Sequence, residues 1–391
     1  MASAILKRGR DRRVRLGHLW IYESEIDRVE GNPPPGGILR IRDYQRRYLG
    51  TGYINPLSKI RVRLLSRERG VKIDHQFLRS RIQEAIAYRE RFYPGAEACR
   101  LVYAEGDFLP GLVVDRYGPI LAIQISTAGM EPFRELITEI LQELLNPAGI
   151  YEKSESSSRR HEGLQPRTGL IRGKLGGRIS VQLDGIQFLV DMEKDQKTGL
   201  YLDHRENRRS LQPFAGEAEV LDLFCNAGSF GLYAAKFGAR HVLGVDSSSE
   251  CLERARLNAE TNDFSGRMEW LEGNAFDHLR NFDQQGRKFD VVILDPPSFT
   301  KSSDSVEGAV RGYNEINLRA FKIVKPGGFV ITSSCSYHIP LPIFLGILRD
   351  AAADAHRAPR ILSIAVQAPD HPVNLGVPET SYLKCVFLQV P

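Results

Sequence analysis

From residue 186 to the C-terminus, short apolar runs alternate with helical periodicity, and this alternation restricts the fold more than any other feature of the chain. EVLDLF (219–224) precedes the helical FGLYAAKFG, and HVLGVD (241–246) precedes SSSECLERARLNAETN. MEWLEG (268–273) precedes DHLRNF, while DVVILD (290–295) precedes a long helix around NEINLRAFKIV and then the strand KPGGFVITSS. Strands that are apolar on both faces and separated by helices form a parallel, doubly wound sheet. ILSIAVQA and YLKCVFLQV have no helical sequence of their own kind between them and are expected to close the chain as an antiparallel pair. The fold class is therefore α/β over 186–391.

The sequence before this region is different. Residues 1–70 read as short strands (GILRIRD, RRYLGTGYIN, KIRVRLL) around the rigid loop NPPPGG, which makes a small β domain. Residues 71–185 read as an α+β middle domain. Its helices are expected at 72–93 and over EPFRELITEILQELL, its strands within LVYAEGDFLPGLVVDRYGPILAIQIST, and a hairpin at VQLDGIQFLVD turns on Asp184-Gly185. The Ser-, Gly- and Arg-rich stretch 152–180 is expected to be a mobile loop.

Charge is distributed unevenly. The first 70 residues hold sixteen Lys and Arg against seven Asp and Glu, whereas the remaining residues are slightly acidic. Lys7, Arg8, Arg10, Arg12, Arg13 and Arg15 crowd into nine positions. Clustered basic residues are the footprint of a polyanion, because binding phosphates releases condensed counterions. Arg10, Arg12, Arg13 and Arg15 are accordingly candidate nucleic-acid contacts. No run approaches 18 apolar residues, and the N-terminal sequence has no apolar signal-like stretch. The five cysteines (99, 225, 251, 335 and 385) form no CxxC, so neither a zinc site nor a disulfide framework is expected. A cytoplasmic protein with reduced thiols and no metal is the expectation.

In a doubly wound sheet, ligands bind at the carboxyl ends of the strands. The first strand runs through Asp222 into Phe224-Cys225-Asn226-Ala227-Gly228, a glycine loop that opens a helix but is not GxGxxG. The second ends at Asp246, 18 residues after Gly228, where a carboxylate can accept both hydroxyls of a ribose. The third ends at Gly273-Asn274-Ala275, which places an amide at an adenine edge. A glycine loop and a ribose acid without a phosphate-binding lysine point to S-adenosylmethionine (SAM) rather than NAD or ATP. The fourth strand ends at Asp295-Pro296-Pro297-Ser298-Phe299, whose prolines fix an acid and an aromatic ring at the cleft. The fifth ends at Cys335. Carbon 5 of a pyrimidine is a poor nucleophile until a thiolate adds at carbon 6, so a cysteine here points to covalent catalysis. A free thiol near pKa 8.5 is only a few per cent ionised at neutral pH, so such a site must favour the thiolate.

Over nearly its whole length the chain resembles the bacterial 23S ribosomal RNA (cytosine-5)-methyltransferase family with an N-terminal PUA domain. The resemblance is carried by RLGHLWIYESEI (15–26), YEKS and RRHEGL within 151–164, QKTGLYLDHRENR (196–208), DLFCNAGSFG, LDPPSF, SSCS, DHPVN and PETSYLK. It implies a PUA-like domain over 1–70, a linking domain over 71–185 and a Rossmann-like methyltransferase domain over 186–391. It also implies that Tyr201, Asp203 and Arg205 wrap the methionine end of SAM, that Cys335 is the nucleophile and that Asp295 contacts the base. The implied partner is large-subunit ribosomal RNA, without membrane or metal, and with room for a homodimer. Two departures stand out: Asn274 replaces the more usual acid, and DPPSF carries no second cysteine to help release product. Uracil-5 methylation, guanine-N2 methylation and a non-catalytic RNA-binding assembly role are the competing readings.

Overall fold

A computed structural model describes residues 2–195, 197–300 and 305–391. Gln196, the first residue of the 196–208 motif, lies outside the described residues. The chain divides into two compact units. The first comprises Met1–Leu183, Val190–Leu202 and Pro369–Thr380; the second comprises Asp184–Leu189, Asp203–Ala368 and Ser381–Pro391. Two segments within 186–391 thus belong to the unit built from the N-terminal sequence.

The first unit contains two sheets. Strands β1 (Ser3–Leu6), β2 (Trp20–Ile21), β3 (Ile26–Glu30), β4 (Ile38–Arg42), β5 (Tyr48–Ile54) and β6 (Val62–Ser66) form a sheet in the order β2-β6-β5-β4-β1-β3, with the short helix α1 (Arg12–Arg15) after β1. Strands β7 (Ala98–Tyr103), β8 (Leu112–Tyr117), β9 (Ile120–Ile125), β10 (Gly149–Ser154) and β11 (Arg167–Gly173) follow in the order β11-β10-β9-β8-β7, with helices α2 (His75–Phe92) and α3 (Arg134–Leu145). Asp74 caps α2 by accepting from the Phe77 N–H. Tyr53 of β5 joins a core with Leu78, Leu101 and Ile137, and its hydroxyl donates to the Pro110 carbonyl at 2.9 Å.

The stretch 152–180, expected as a mobile loop, instead contains the end of β10, helix α4 (Ser157–His161), β11 and the start of β12 (Ile179–Leu183). The reason is a set of buried ion pairs to distant sequence. Arg159 binds Glu131 at 2.7 Å and the Ile125 carbonyl, while Glu162 accepts from Arg63 and Asn55. These charges are held by partners 28 and 99 residues away. Polar composition therefore does not report exposure here.

Strand β12 pairs with β13 (Ile186–Val190), and both turn residues adopt positive φ, 55° at Asp184 and 75° at Gly185, as a two-residue hairpin requires. After the short helices α5 (Arg205–Arg209) and α6 (Gln212–Ala215), the second unit alternates β14 (Glu219–Leu223), α7 (Ser229–Lys236), β15 (His241–Asp246), α8 (Ser249–Thr261), β16 (Met268–Glu272), α9 (Ala275–Gln284), β17 (Phe289–Leu294), α10 (Val306–Ile323), β18 (Val324–Ser334), α11 (Leu341–Asp354), β19 (Arg360–Ala365) and β20 (Lys384–Gln389). The sheet order is β16-β15-β14-β17-β18-β20-β19. Strands β14 to β18 are parallel, whereas β20 is antiparallel to both β18 and β19, as expected for the closing pair. The core is formed by Leu221, Leu223, Leu243, Val292, Leu294 and Val330 from the sheet and by Leu279, Ile316, Phe321 and Phe344 from the helices. This sheet is a Rossmann-like doubly wound fold, and its strand order reverses beside β14. No helix among the described residues is long and apolar enough to cross a membrane.

Candidate active site

The reversal point places the carboxyl ends of β14, β15 and β17 side by side. Register pairs Leu223 with both Val245 and Leu294, so Asp246 and Asp295 each follow a residue level with the end of β14. Asp222 lies inside the strand and is fully buried. Its Oδ2 accepts from the Gly231 N–H at 2.9 Å, which anchors α7, and its Oδ1 is buried without a hydrogen-bond partner. Burial, with the Asp295 and Asp246 charges adding, raises this acid to about 8.

The loop that follows is tightly wound. Phe224, Asn226 and Gly228 have φ of 61°, 49° and 77°. Two of these are side-chain-bearing residues in a region that L residues seldom adopt. The Asp246 carboxylate holds this shape: Oδ2 accepts from the Asn226 N–H at 2.8 Å and Oδ1 from the Ser248 N–H at 3.0 Å. A Cβ on Gly228 would meet the Trp270 ring at 2.6 Å, and this close approach of backbone to indole requires glycine. The Cys225 thiol is buried and pushed up in pKa by that burial, and Ala227 is buried beside it. Asn274 caps α9, its Oδ1 accepting from the Phe276 N–H at 2.9 Å, and Ala275 is the buried first residue of that helix.

Asp295 follows β17. His204 Nε2 lies 3.1 Å from its Oδ1, and Asn207 Nδ2 lies 3.0 Å from His204 Nδ1. With the amide donating to Nδ1, the ring proton sits on Nε2 and is directed at the carboxylate. The His204 ring is buried edge-on to Phe230, with centroids 5.2 Å apart. Pro296 is buried, Pro297 exposed, and Phe299 joins an aromatic group with Phe224, Phe276 and Tyr313. Cys335 follows β18 and is the half-buried member of five free cysteines, the other four being buried. The segments after β17 and β18 are tied together: Ser298 Oγ lies 2.9 Å from Ser336 Oγ, which lies 2.9 Å from the Tyr313 hydroxyl.

The structure thus brings together Asp222, the loop 224–228, Asp246, Asn274, Ala275, Asp295, Pro296, Pro297, Phe299 and Cys335 along one edge of the sheet. Each of the three residues expected at the methionine end of SAM has a partner within the protein. Tyr201 belongs to the first unit and lies under the Lys197 ammonium, 4.4 Å from its ring centroid. Asp203 accepts from the Tyr382 hydroxyl at 2.5 Å, and Arg205 is held by Asp184 at 2.7 Å. Arg13 and Arg15 also serve ion pairs, with Glu25 and with Asp43, while Arg10 and Arg12 are exposed. His204 and Asn207 were not among the expected site residues; their spacing of three on a helical turn, within the 196–208 motif, is the signal that marks them. Among the described residues no cluster of three or more His, Cys, Asp or Glu is placed to hold a metal ion.

Comparison with known proteins agrees with this fold. Residues 4–67 match a PUA-like domain, and residues 171–369 match S-adenosylmethionine-dependent methyltransferases. Over 97% of both chains, the protein is 39% identical to ribosomal RNA large subunit methyltransferase I of Aeromonas salmonicida, and over 98% of both it is 39% identical to that of Vibrio vulnificus. The chain belongs to the ribosomal RNA large subunit methyltransferase I family. A solved structure assigned as a SAM-dependent methyltransferase from Streptococcus mutans shares the fold over the full length of both chains, with a TM-score of 0.86 at 20% identity. A second, solved with S-adenosylhomocysteine, aligns with a TM-score of 0.85 at 19% identity.

Membership makes the protein a SAM-dependent methyltransferase, and the sheet edge fits that cofactor. SAM is cationic, and the unpartnered, buried Asp222 Oδ1 lies at an edge where three carboxylates converge. Asp246 retains lone pairs on both oxygens, since each accepts a single backbone N–H.

Proposed function

We propose that the protein methylates carbon 5 of a cytosine in large-subunit ribosomal RNA through a transient adduct on Cys335. The observation that carries this reading is the half-buried Cys335 just after β18, the strand paired with the one that leads into the Asp295-Pro296-Pro297 turn, with the two segments linked through Ser298 and Ser336. Asp222, the loop 224–228, Asp246, Asn274 and Ala275 would hold SAM, which supplies an electrophilic methyl group when bound.

The remaining chemistry falls to the chain. The Cys335 thiolate adds to carbon 6, and the electron pair of the C5–C6 double bond becomes available at carbon 5 to take the methyl group. Asp295 accepts a hydrogen bond from the amine edge of the cytosine and so fixes the orientation of the ring. His204 fixes that carboxylate by directing its Nε2 proton at Oδ1, which leaves Oδ2 for the base. After transfer, a base removes the carbon-5 proton, the double bond re-forms and the thiolate is expelled. Phe299 offers the base an aromatic face, and the excess positive charge of residues 1–70 binds RNA phosphates.

The test combines Cys335→Ala with RNA carrying 5-fluorocytidine. The variant should lose methylation, with SAM affinity within about threefold of wild type, and the wild type should form a denaturation-resistant adduct with the fluorinated RNA, because fluorine does not leave as a proton does. Mass mapping of ribosomal RNA from cells with and without the enzyme should locate one 5-methylcytosine. Near-normal turnover by the variant, with methyl groups on an exocyclic amine, would refute the covalent route. Product carrying 5-methyluridine would refute the choice of base.

A further inference from the structure

The nucleophile has a cationic neighbour that the chemistry above does not use. Lys384 is the first residue of β20, which pairs with β18 in a register that sets Lys384 opposite Ser334, the residue before Cys335. Its side chain is buried, and Nζ donates to the Ser336 carbonyl at 2.7 Å and to the Tyr382 carbonyl at 2.9 Å. The ammonium is therefore fixed against the backbone immediately after Cys335. Neither partner is a carboxylate, so these bonds leave the positive charge uncompensated.

We propose that Lys384 is the positioning residue for the nucleophile: Cys335 and Lys384 share one proton, which resides on Lys384 Nζ and leaves Cys335 as the thiolate. In this step the S–H bond breaks with its electron pair kept on sulfur, and an N–H bond forms at Nζ; no other reactant is needed. This inference rests on the covalent reading for its role in catalysis, but the state of the thiol can be measured without catalysis.

The electrostatics agree with the geometry. Burial lowers Lys384 to about 8, and the Cys335 thiolate opposes that fall by favouring the ammonium. The same two charges act reciprocally, so the ammonium favours the thiolate. A lysine so displaced exchanges its proton near neutral pH, which an ordinary surface lysine does not. Other titratable groups around the pair are Tyr313 on α10, Asp295 after β17, and Tyr382 and Cys385 on either side of Lys384. Burial raises Tyr313, whose hydroxyl is bonded to Ser334 and Ser336, and burial raises Cys385 to about 12. The Tyr382 hydroxyl donates to Asp203, and Asp295 is bound to His204. Lys384 is the cation of this group, bonded to the carbonyl of the residue after Cys335.

The experiment is the pH dependence of Cys335 alkylation by iodoacetamide, read by peptide mass spectrometry on the full-length wild type, K384Q and K384R, each checked for folding by SAM binding. The other four cysteines are buried and serve as internal controls. In the wild type, Cys335 should be alkylated with a midpoint below the ordinary thiol value of about 8.5. In K384Q the midpoint should rise by one pH unit or more, so that alkylation at pH 7 slows about tenfold while the two proteins converge above pH 10. K384R keeps the charge and should recover most of the rate at pH 7. Superimposable profiles for wild type and K384Q overturn the proposal. Should K384Q fail to fold, a wild-type midpoint at or above 8.5 overturns it equally. Methylation by C335A speaks to the covalent reading alone, so failure of that reading and failure of this one give different results.

Discussion

Asp222 offers the most direct test of the electrostatics at the sheet edge. Folding removes its carboxyl from water and provides one N–H, from Gly231, to the two oxygens. The acid is ordinarily half-ionised near 3.8 and is raised to about 8 in the folded protein. Because the folded value exceeds the unfolded one, the stability linked to this group is complete below about pH 4 and is lost progressively as pH rises to 8. Each pH unit in that window costs about 1.4 kcal/mol, for a ceiling of about 6 kcal/mol across the whole range. Asp222→Asn reproduces the protonated acid: one oxygen accepts from Gly231, and the second position carries hydrogen. The variant cannot ionise, so its stability relative to wild type should climb by about 1 kcal/mol per pH unit between pH 5 and 8. Urea unfolding of both proteins without ligand at half-unit intervals gives this difference, in which all shared titrations cancel. With SAM present the order should reverse, since a bound cation favours the ionised carboxylate, and calorimetry in two buffers should show proton release by wild type that the variant lacks. Parallel stability profiles, or identical proton release, would show that Asp222 is ionised in the empty site and that the burial argument is wrong.

Two further perturbations test other parts of the site. His204→Ala should slow methylation by roughly 10- to 100-fold with SAM affinity within about threefold, the range seen on losing an outer partner that orients a functional group. Asn207→Asp should place the imidazole between two carboxylates, raise its pKa and add a new limb to the pH profile of kcat/KM; unaltered kinetics in both variants would remove the histidine from the mechanism. Arg10→Ala with Arg12→Ala should weaken RNA binding and flatten the slope of log K against log salt by about one for each phosphate no longer neutralised. By contrast, Arg15→Ala should chiefly lower the thermal midpoint, because Arg15 holds the buried Asp43.

How much of this was legible in the sequence depended on the range over which the relevant interaction acts. The doubly wound sheet was legible because each parallel strand is apolar on both faces, and Asp246, Asp295 and Cys335 were legible because such runs end abruptly at the sheet edge. Asp184-Gly185 was legible because two consecutive positive φ values demand that kind of pair. Arg159 and Glu162, in contrast, look like solvent-facing loop residues until Glu131 and Arg63 are brought to them. Arg205, which the family resemblance assigns to the cofactor, is bonded to Asp184, 21 residues away in sequence, a partner that no local pattern marks. Lys384 is ordinary in sequence, and its meaning comes from an antiparallel register that crosses 50 residues to Ser334. Local pattern reports burial and turns, whereas the partners of buried charges are set by topology.

That partition of charge also limits how RNA can approach the site. Asp246 and Asp295 lie at the carboxyl ends of β15 and β17, and register sets them on either side of β14. Strands lie about 4.8 Å apart, which puts those two chain positions about 10 Å from one another. A site of this sign attracts the SAM cation and repels phosphate by the same electrostatics. On the mechanism proposed above, a cytosine still paired and stacked in a helix carries its flanking phosphates wherever its ring goes, so it would bring carbon 6 to Cys335 only at the expense of moving negative charge toward those carboxylates. A base turned out of its strand enters as a neutral ring, leaving its phosphates to basic side chains elsewhere, the role proposed above for the first 70 residues with their sixteen Lys and Arg against seven Asp and Glu. Substrates with the target cytosine unpaired should therefore react faster than the same cytosine in a duplex, by the cost of opening that pair, and the ratio should hold in Arg10→Ala, the variant expected to weaken phosphate binding. Equal rates on paired and unpaired targets would mean that the acidic edge does not govern entry.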